Sequence, residues 1–446
     1  MKKGMDWCKM YRLMYEKLIK WKENRYRKPL LLKGLRQCGK TYLLKEFGQK
    51  LYSDTAYFNF EGNQPLQACF EKDLDVMRIT EELGILRKKS INPAETLIIF
   101  DEIQFCNNAL SALKYFSENH PEYHIVCAGS LLGIALSKPL SFPVGKVDML
   151  TLHPMSFYEF LLASGESMLC EYLDKAGLFK ELPPAFAEKL KMHLRNYFIT
   201  GGMPEVVQKW TVTKDIEAVE STLQEIIDSY ELDFAKHAPK NDFPKLSLIW
   251  HSIPEQLANE SGKFMFGRVK QGMRAKDLED SLEWIISAGL AIKVSRIEKP
   301  GMPLSAYAER GYFKLYMSDV GLLRRMSKLP ADALLSQPGV FTEFKGALAE
   351  NFVLCELYGL RGDVPYYWKS GNTAEVDFVA QFASDIVPIE VKSGKNDRSK
   401  SLAEYRKKYK PAISVKISMN DARDGMVKNV PLYMLWKINE IFDTEK

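Results

Sequence analysis

Apolar residues at Met10, Leu13, Met14, Leu18 and Trp21 recur at helical spacing and stop before Pro29, which predicts an amphipathic helix near the start of the chain. The period then changes. Short apolar runs at Leu30 to Leu32, Tyr57 to Phe60, Leu97 to Phe100, His124 to Ala128 and Val147 to Leu152 alternate with helical stretches, the signature of a mainly parallel α/β sheet. From about 155 to 238 the pattern is helical, broken at Gly201, Gly202 and Pro204, and reads as a lid or connector. Next come a helix with Leu246, Ile249, Ile253 and Leu257 and a second with Leu278, Leu282 and Ile285 that ends at Gly289. Strands at Ala291 to Val294 and Phe313 to Met317 follow, joined through a turn at Pro300, Gly301 and Pro303. Helices followed by a hairpin are compatible with a winged helix. A last α/β unit begins after Pro330. The expected division is therefore 1–154, an α/β domain with a parallel sheet; 155–239, a helical lid; 240–329, a winged-helix-like domain; and 330–446, a second α/β domain.

Two segments carry chemistry. Gly34-Leu35-Arg36-Gln37-Cys38-Gly39-Lys40-Thr41 fits G-x-x-x-x-G-K-[ST], directly after an apolar strand and directly before a helix that starts at Tyr42. Backbone N–H groups of residues 34–42 and the helix N-terminus would wrap a polyanion, which bulky side chains at Gly34 and Gly39 would obstruct. Lys40 would reach the β- and γ-phosphates of ATP, and Thr41 would ligate Mg²⁺. Leu97 to Phe100 is a buried strand ending in Asp101 and Glu102, where open α/β sheets bind ligands. Asp101 would hold the Mg²⁺ shell and Glu102 would polarise the attacking water. Ser130 closes the next strand, where its hydroxyl would sense the γ-phosphate. Cys38, close to a helix N-terminus, is expected to be a reactive thiol that ATP protects.

The second constellation is C-terminal. Asp377, a gap of 13 positions and then Glu390-Val391-Lys392 on an apolar run resemble the PD-(D/E)xK nuclease core. Strand geometry puts Glu390 and Lys392 on one sheet face, roughly 7 Å apart. Asp377 would join them from a neighbouring strand. Glu350 is the acid left exposed on a helix that buries Phe344, Leu348, Phe352 and Cys355. Glu350, Asp377 and Glu390 would bind Mg²⁺, and Lys392 would orient water or stabilise the reacting phosphate. Ser401 stands where some such nucleases have a glutamine.

The motifs together carry a resemblance. Gly34 to Thr41, Asp101-Glu102-Ile103-Gln104, Ala128 to Gly133, Phe142 to Lys146 and Gly201-Gly202-Met203-Pro204-Glu205 resemble the bacterial AAA-type ATPases that carry a C-terminal domain of unknown function 4143. The resemblance implies an AAA+ and archaeal-ATPase kind of P-loop sheet, with an extra strand between the P-loop strand and the Asp101 strand; the Tyr57 to Phe60 run fits that strand. It also implies that the last domain has the restriction-endonuclease-like fold. It carries no arginine finger onto a particular residue, and leaves a homo-oligomer open.

Composition narrows the partners. The chain has 446 residues and a net charge of +5, so nucleic-acid binding must rest on local charge. Residues 1–33 hold 11 Lys/Arg against 3 Asp/Glu, and residues 392–410 hold 8 against 2. Seven scattered cysteines without a C-x-x-C pair, no apolar run long enough to span a membrane and no secretory h-region predict a cytoplasmic protein away from membranes. Two functions fit: an ATP-dependent enzyme acting on DNA, or an ATP-driven switch or scaffold whose nuclease-like domain only binds a partner.

Overall fold

The computed structural model describes residues 10–93, 95–130, 143–238, 242–259, 262–336, 342–371, 374–393 and 399–442. The chain forms two compact units. One is Tyr11–His153 with Ser287–Gly289; the other holds Pro154–Ile286 and the chain from Leu290 onward.

In the first unit, α1 (Met14–Glu23) buries Met14, Leu18 and Trp21, the stripe its spacing predicts. Five strands follow: β1 (Leu30–Gly34), β2 (Asp54–Asn59), β3 (Thr96–Asp101), β4 (His124–Ser130) and β5 (Asp148–Leu152). They form one sheet in the order β2-β3-β4-β1-β5, with every pairing parallel. β3 is buried along its whole length and β4 all but its last residue, which is why both read as unbroken apolar runs. One expectation needs correction. The strand standing between β1 and β3 in the sheet is β4, whereas Tyr57 to Asn59 of the expected run lie in edge strand β2 and Phe60 just follows it, so that strand comes between them only in sequence.

The second unit opens with helices Phe157–Ala163, Ser167–Lys175, Pro184–Thr200, Pro204–Thr213 and Ile216–His237. Gly201 and Gly202 do more than break a helix. A Cβ on Gly201 would stand 2.1 Å from Asp319 Oδ1, and one on Gly202 would stand 2.1 Å from the Met155 carbonyl. Asp319 accepts the Gly202 and Leu322 N–H groups at 2.6 and 3.0 Å. Burial lifts its pKa to about 6, against the lowering effect of these N–H donors.

The two predicted hairpin strands are β6 (Ala291–Ile297) and β7 (Ala308–Met317), paired antiparallel. They are not a separate wing. β6 pairs with β8 (Tyr366–Ser370), so strands on both sides of residue 330 join one seven-stranded sheet, β12-β11-β10-β9-β8-β6-β7. Here β9 is Ala374–Phe382, β10 Asp385–Lys392, β11 Val415–Ser418 and β12 Lys428–Pro431. β9 runs antiparallel to β10, while β10, β11 and β12 are mutually parallel.

Helix Thr342–Arg361 is longer than its predicted apolar stripe and is buried almost all round from Ala347 to Leu357. Two of its buried residues are polar. Asn351 bonds both the N–H and the carbonyl of Met317, and Glu356 accepts the Phe157 N–H at 2.8 Å. The side chain of Phe344 lies outside the described residues. So do residues 131–133 and 142 of the quoted motifs, and 1–9 and 394–398 of the two basic segments.

Candidate nucleotide site and a C-terminal carboxylate centre

The nucleotide loop lies between β1 and α2 (Lys40–Leu51). Gly39 takes φ +90°, a conformation side-chain-bearing residues avoid, and so turns the chain into the helix. The helix's first amides, from Lys40 to Tyr42, have no partner one turn back and are available to an anion. Gly34 is required for a reason the motif alone does not show: a Cβ there would come within 2.5 Å of the Leu152 carbonyl and 2.9 Å of Cys38 Sγ. The loop's rear is packed against β5, so Gly34 serves that packing as well as phosphate access.

Lys40 is buried and donates to the carbonyls of Gly34 at 3.0 Å and Leu35 at 2.7 Å, which holds its ammonium across the loop. Thr41 Oγ1 donates to Asp101 Oδ2 at 2.9 Å. The two expected Mg²⁺ groups, 60 residues apart in sequence, are therefore in contact. Leu35 is buried, Arg36 half-buried, and Gln37 and Tyr42 exposed. Ser130 pairs in register with Gly34, so it stands beside the loop as its position at the strand end predicts.

Sequence reasoning missed Tyr57. Its hydroxyl donates to Asp101 Oδ2 at 2.7 Å, and the Lys45 ammonium lies 3.6 Å from its ring centre. Burial, then the Asp101 hydrogen bond, raises the phenol's pKa, keeping it a donor. Its place on a strand two positions from the sheet's carboxyl end is the signal that could have found it. Asp101 Oδ1 accepts the Glu102 N–H at 3.1 Å. Glu102 adopts φ +50°, a left-handed conformation uncommon for a non-glycine residue, and accepts from Gln104 Nε2 at 2.5 Å.

The oxygen set of Thr41 and Asp101 suits Mg²⁺, which commonly takes one or two protein oxygens and completes its shell with phosphate and water. Cys38 is a correction. It is fully buried and its S–H points at the Leu152 carbonyl, 3.6 Å away, so it faces the sheet rather than the phosphates. Alkylation of the folded protein is expected to leave Cys38 unmodified with or without ATP, as read by mass spectrometry of its peptide.

In the second unit, the β9–β10 ladder runs to Ile389↔Phe378, and its continuation sets Asp377 beside Glu390. Asp377 Oδ2 accepts the Val391 N–H at 2.7 Å. Lys392 pairs with Glu390 at 2.7 Å, as shared projection from one face requires. Glu350 accepts the Tyr316 hydroxyl at 2.8 Å. Ser401 Oγ accepts the Glu375 N–H at 3.2 Å. Burial raises the pKa of Asp377, and the Glu350 and Glu390 charges add to it. Burial raises that of Glu390 as well, against the lowering effect of Lys392.

The predicted residues thus meet, in company the motif does not include. Lys314 of β7 is 3% exposed, pairs with Glu375 at 2.6 Å and lies 3.6 Å from Glu350. Burial alone would discharge it, but Tyr316, Glu350, Glu375 and Asp377 hold its ammonium charged, with the pKa well above the ordinary value. Lys369 adds a second cation on Glu375 at 3.1 Å. One carboxylate oxygen, Glu390 Oε2, is buried without a hydrogen-bond partner. Among the described residues no group of three or more His, Cys, Asp or Glu side chains is arranged to hold a metal ion. Lys314 thus places an ammonium beside Glu350 and Glu375, next to the carboxylates the motif assigns to Mg²⁺.

An AAA domain family matches residues 26–161, a domain of unknown function (DUF8612) matches 191–333, and a domain of unknown function (DUF4143) matches 345–435. No curated protein matches the chain. Among solved structures, the Walker-type ATPase PABY2304 of Pyrococcus abyssi is 15% identical at a TM-score of 0.44, covering 71% of this chain and 96% of its own. Aeropyrum pernix ORC1 in complex with DNA is 14% identical at a TM-score of 0.29, over 72% and 92%. Thermotoga maritima RuvB is 15% identical at 0.30, over 62% and 87%. These likenesses are distant and carry nothing about what the chain acts on. No described helix is long and apolar enough to cross a membrane. By its P-loop, its parallel sheet and its matched domains, the chain belongs to the AAA-type P-loop ATPases that carry a C-terminal domain of unknown function 4143.

Proposed function

We propose that the first unit binds Mg²⁺·ATP and hydrolyses it, with Lys40 on the β- and γ-phosphates, Thr41 and Asp101 holding Mg²⁺, Glu102 orienting the attacking water and Ser130 at the γ-phosphate. The observation that carries this is the Thr41–Asp101 contact beside Lys40. Amides of residues 34–42 hold the phosphates, and Mg²⁺, when bound, supplies charge neutralisation. Tyr57 donates to the same Asp101 oxygen as Thr41 and helps to fix the carboxylate. Phosphoryl transfer to water needs mainly positioning and charge balance, which these groups provide. Purified protein is expected to release phosphate from ATP only when Mg²⁺ is present, and Lys40→Ala to lose nucleotide affinity and turnover together. A Lys40→Ala variant that binds and turns over ATP like wild type would sink the assignment.

For the C-terminal centre, Lys314 favours the second of the two functions: a domain with the nuclease-like arrangement that binds a partner while ATP turnover acts as the switch. DNA is the partner the exposed Lys407 and Lys408 point to. Plasmid DNA incubated with Mg²⁺ or Mn²⁺, with and without ATP, is expected to stay uncut while binding weakens with salt. Cleavage lost on Asp377→Ala would restore the nuclease reading, with Glu390 and Lys392 as its partners.

A further inference from the structure

Arg12 lies ahead of α1, in a stretch no nucleotide motif includes. It is 5% exposed, an unusual environment for a guanidinium. Its Nη1 donates to the Cys38 carbonyl at 2.8 Å, and its Nη2 donates to the His153 carbonyl at 2.5 Å. The first acceptor is inside the phosphate loop; the second follows the last residue of β5.

The consequence comes from peptide geometry. The only cis bond among the described residues is Met302–Pro303, so the Cys38–Gly39 peptide is trans and its C=O and N–H point in opposite directions. A guanidinium holding the Cys38 carbonyl at the rear of the loop therefore fixes the Gly39 N–H toward the front, where the phosphates bind. Cys38 is fastened a second time by its S–H on Leu152, so loop and β5 are tied at adjoining points. The fork geometry of Arg reaches two carbonyls at once, which a lysine ammonium on a flexible stem does less well.

We infer that Arg12 is a positioning residue for nucleotide binding, setting the Gly39 amide from behind the loop. The inference rests on the ATP-site reading above. Loop amides hold phosphates alike in the ground and transition states, so their misalignment raises KM and spares kcat.

The test is steady-state ATPase kinetics on the full chain with Arg12→Met and Arg12→Lys, beside a titration with a non-hydrolysable ATP analogue and a thermal melt of each variant. Arg12→Met is expected to raise KM and the analogue's Kd by at least about tenfold, with kcat within about threefold of wild type. Arg12→Lys, keeping the charge and one donor contact, should fall between the two, and it carries the test alone if Arg12→Met does not fold. A merely structural role would lower apparent kcat with the folded fraction and leave KM in place, and that result overturns the inference. Wild type that neither binds nor hydrolyses ATP would instead overturn the ATP-site reading, and the inference with it.

Discussion

Glu102→Gln should bind Mg²⁺·ATP as wild type does while turning it over on the order of 10²–10⁴ times more slowly, the range a positioned general base contributes. The amide keeps the size of the carboxylate and leaves the backbone contact of residue 102 with Asp101 in place, because that bond uses the main-chain N–H. What is lost is the negative charge and basicity that polarise the water and take its proton, since the amide keeps only a neutral acceptor oxygen. The left-handed φ of Glu102 is part of the expectation. It turns the side chain at the end of β3, and Gln104 holds the carboxylate there. Single-turnover hydrolysis beside an equilibrium titration separates the two effects. Turnover near the wild-type rate would remove Glu102 from the chemistry, and a parallel loss of affinity would make its role one of binding.

Much of the first unit was legible because its chemistry is local. Lys40 and Thr41 sit in one eight-residue motif, Asp101 and Glu102 end one apolar strand, and parallel strands buried on both faces read as apolar runs. Spatial order was less accessible. Nothing in the Tyr57 to Phe60 run distinguishes an edge strand from an inserted one, so β4 was not recognised as the neighbour of both β1 and β3. Gly201 and Gly202 announced a break in a helix, but the reason for two glycines, close approach of Asp319 and Met155, depends on residues far away in sequence. Arg12 and Lys314 were invisible for the same reason. A buried cation takes its meaning from the groups that surround it, and those come from distant segments. Cys38 shows the opposite error: position beside a helix N-terminus indicated reactivity, while the direction of one side chain toward Leu152 decides against it.

Lys314→Met should loosen the C-terminal sheet more than most single substitutions do. Removing one partner of a buried ionic group leaves the remaining charges uncompensated, at a cost of about 3–5 kcal/mol. Methionine is close to lysine in length, so the loss is of charge more than of packing. Glu375 retains Lys369, whereas the bond left to Glu350 is the one from the Tyr316 hydroxyl. Because the chain holds two compact units, a single melting point would mix them. Native-state hydrogen exchange at the amides of β7 and β9 reads the affected sheet directly. Protection there is expected to fall on the order of 10²–10⁴-fold, with amides of β1 and β3 unchanged. Adding Glu375→Gln should restore part of the protection by removing a carboxylate that Lys314 no longer neutralises. The same measurement decides between a resident lysine and a resident metal. In wild type, Mn²⁺ should leave exchange at β9 unchanged, since an ammonium already occupies the carboxylates. In Lys314→Met it should restore protection, and that rescue should vanish when Asp377→Asn is added. Metal-dependent protection of β9 in wild type, lost on Asp377→Asn, would show that Lys314 yields its place to a cation, and the partner-binding reading of this domain would fall with it.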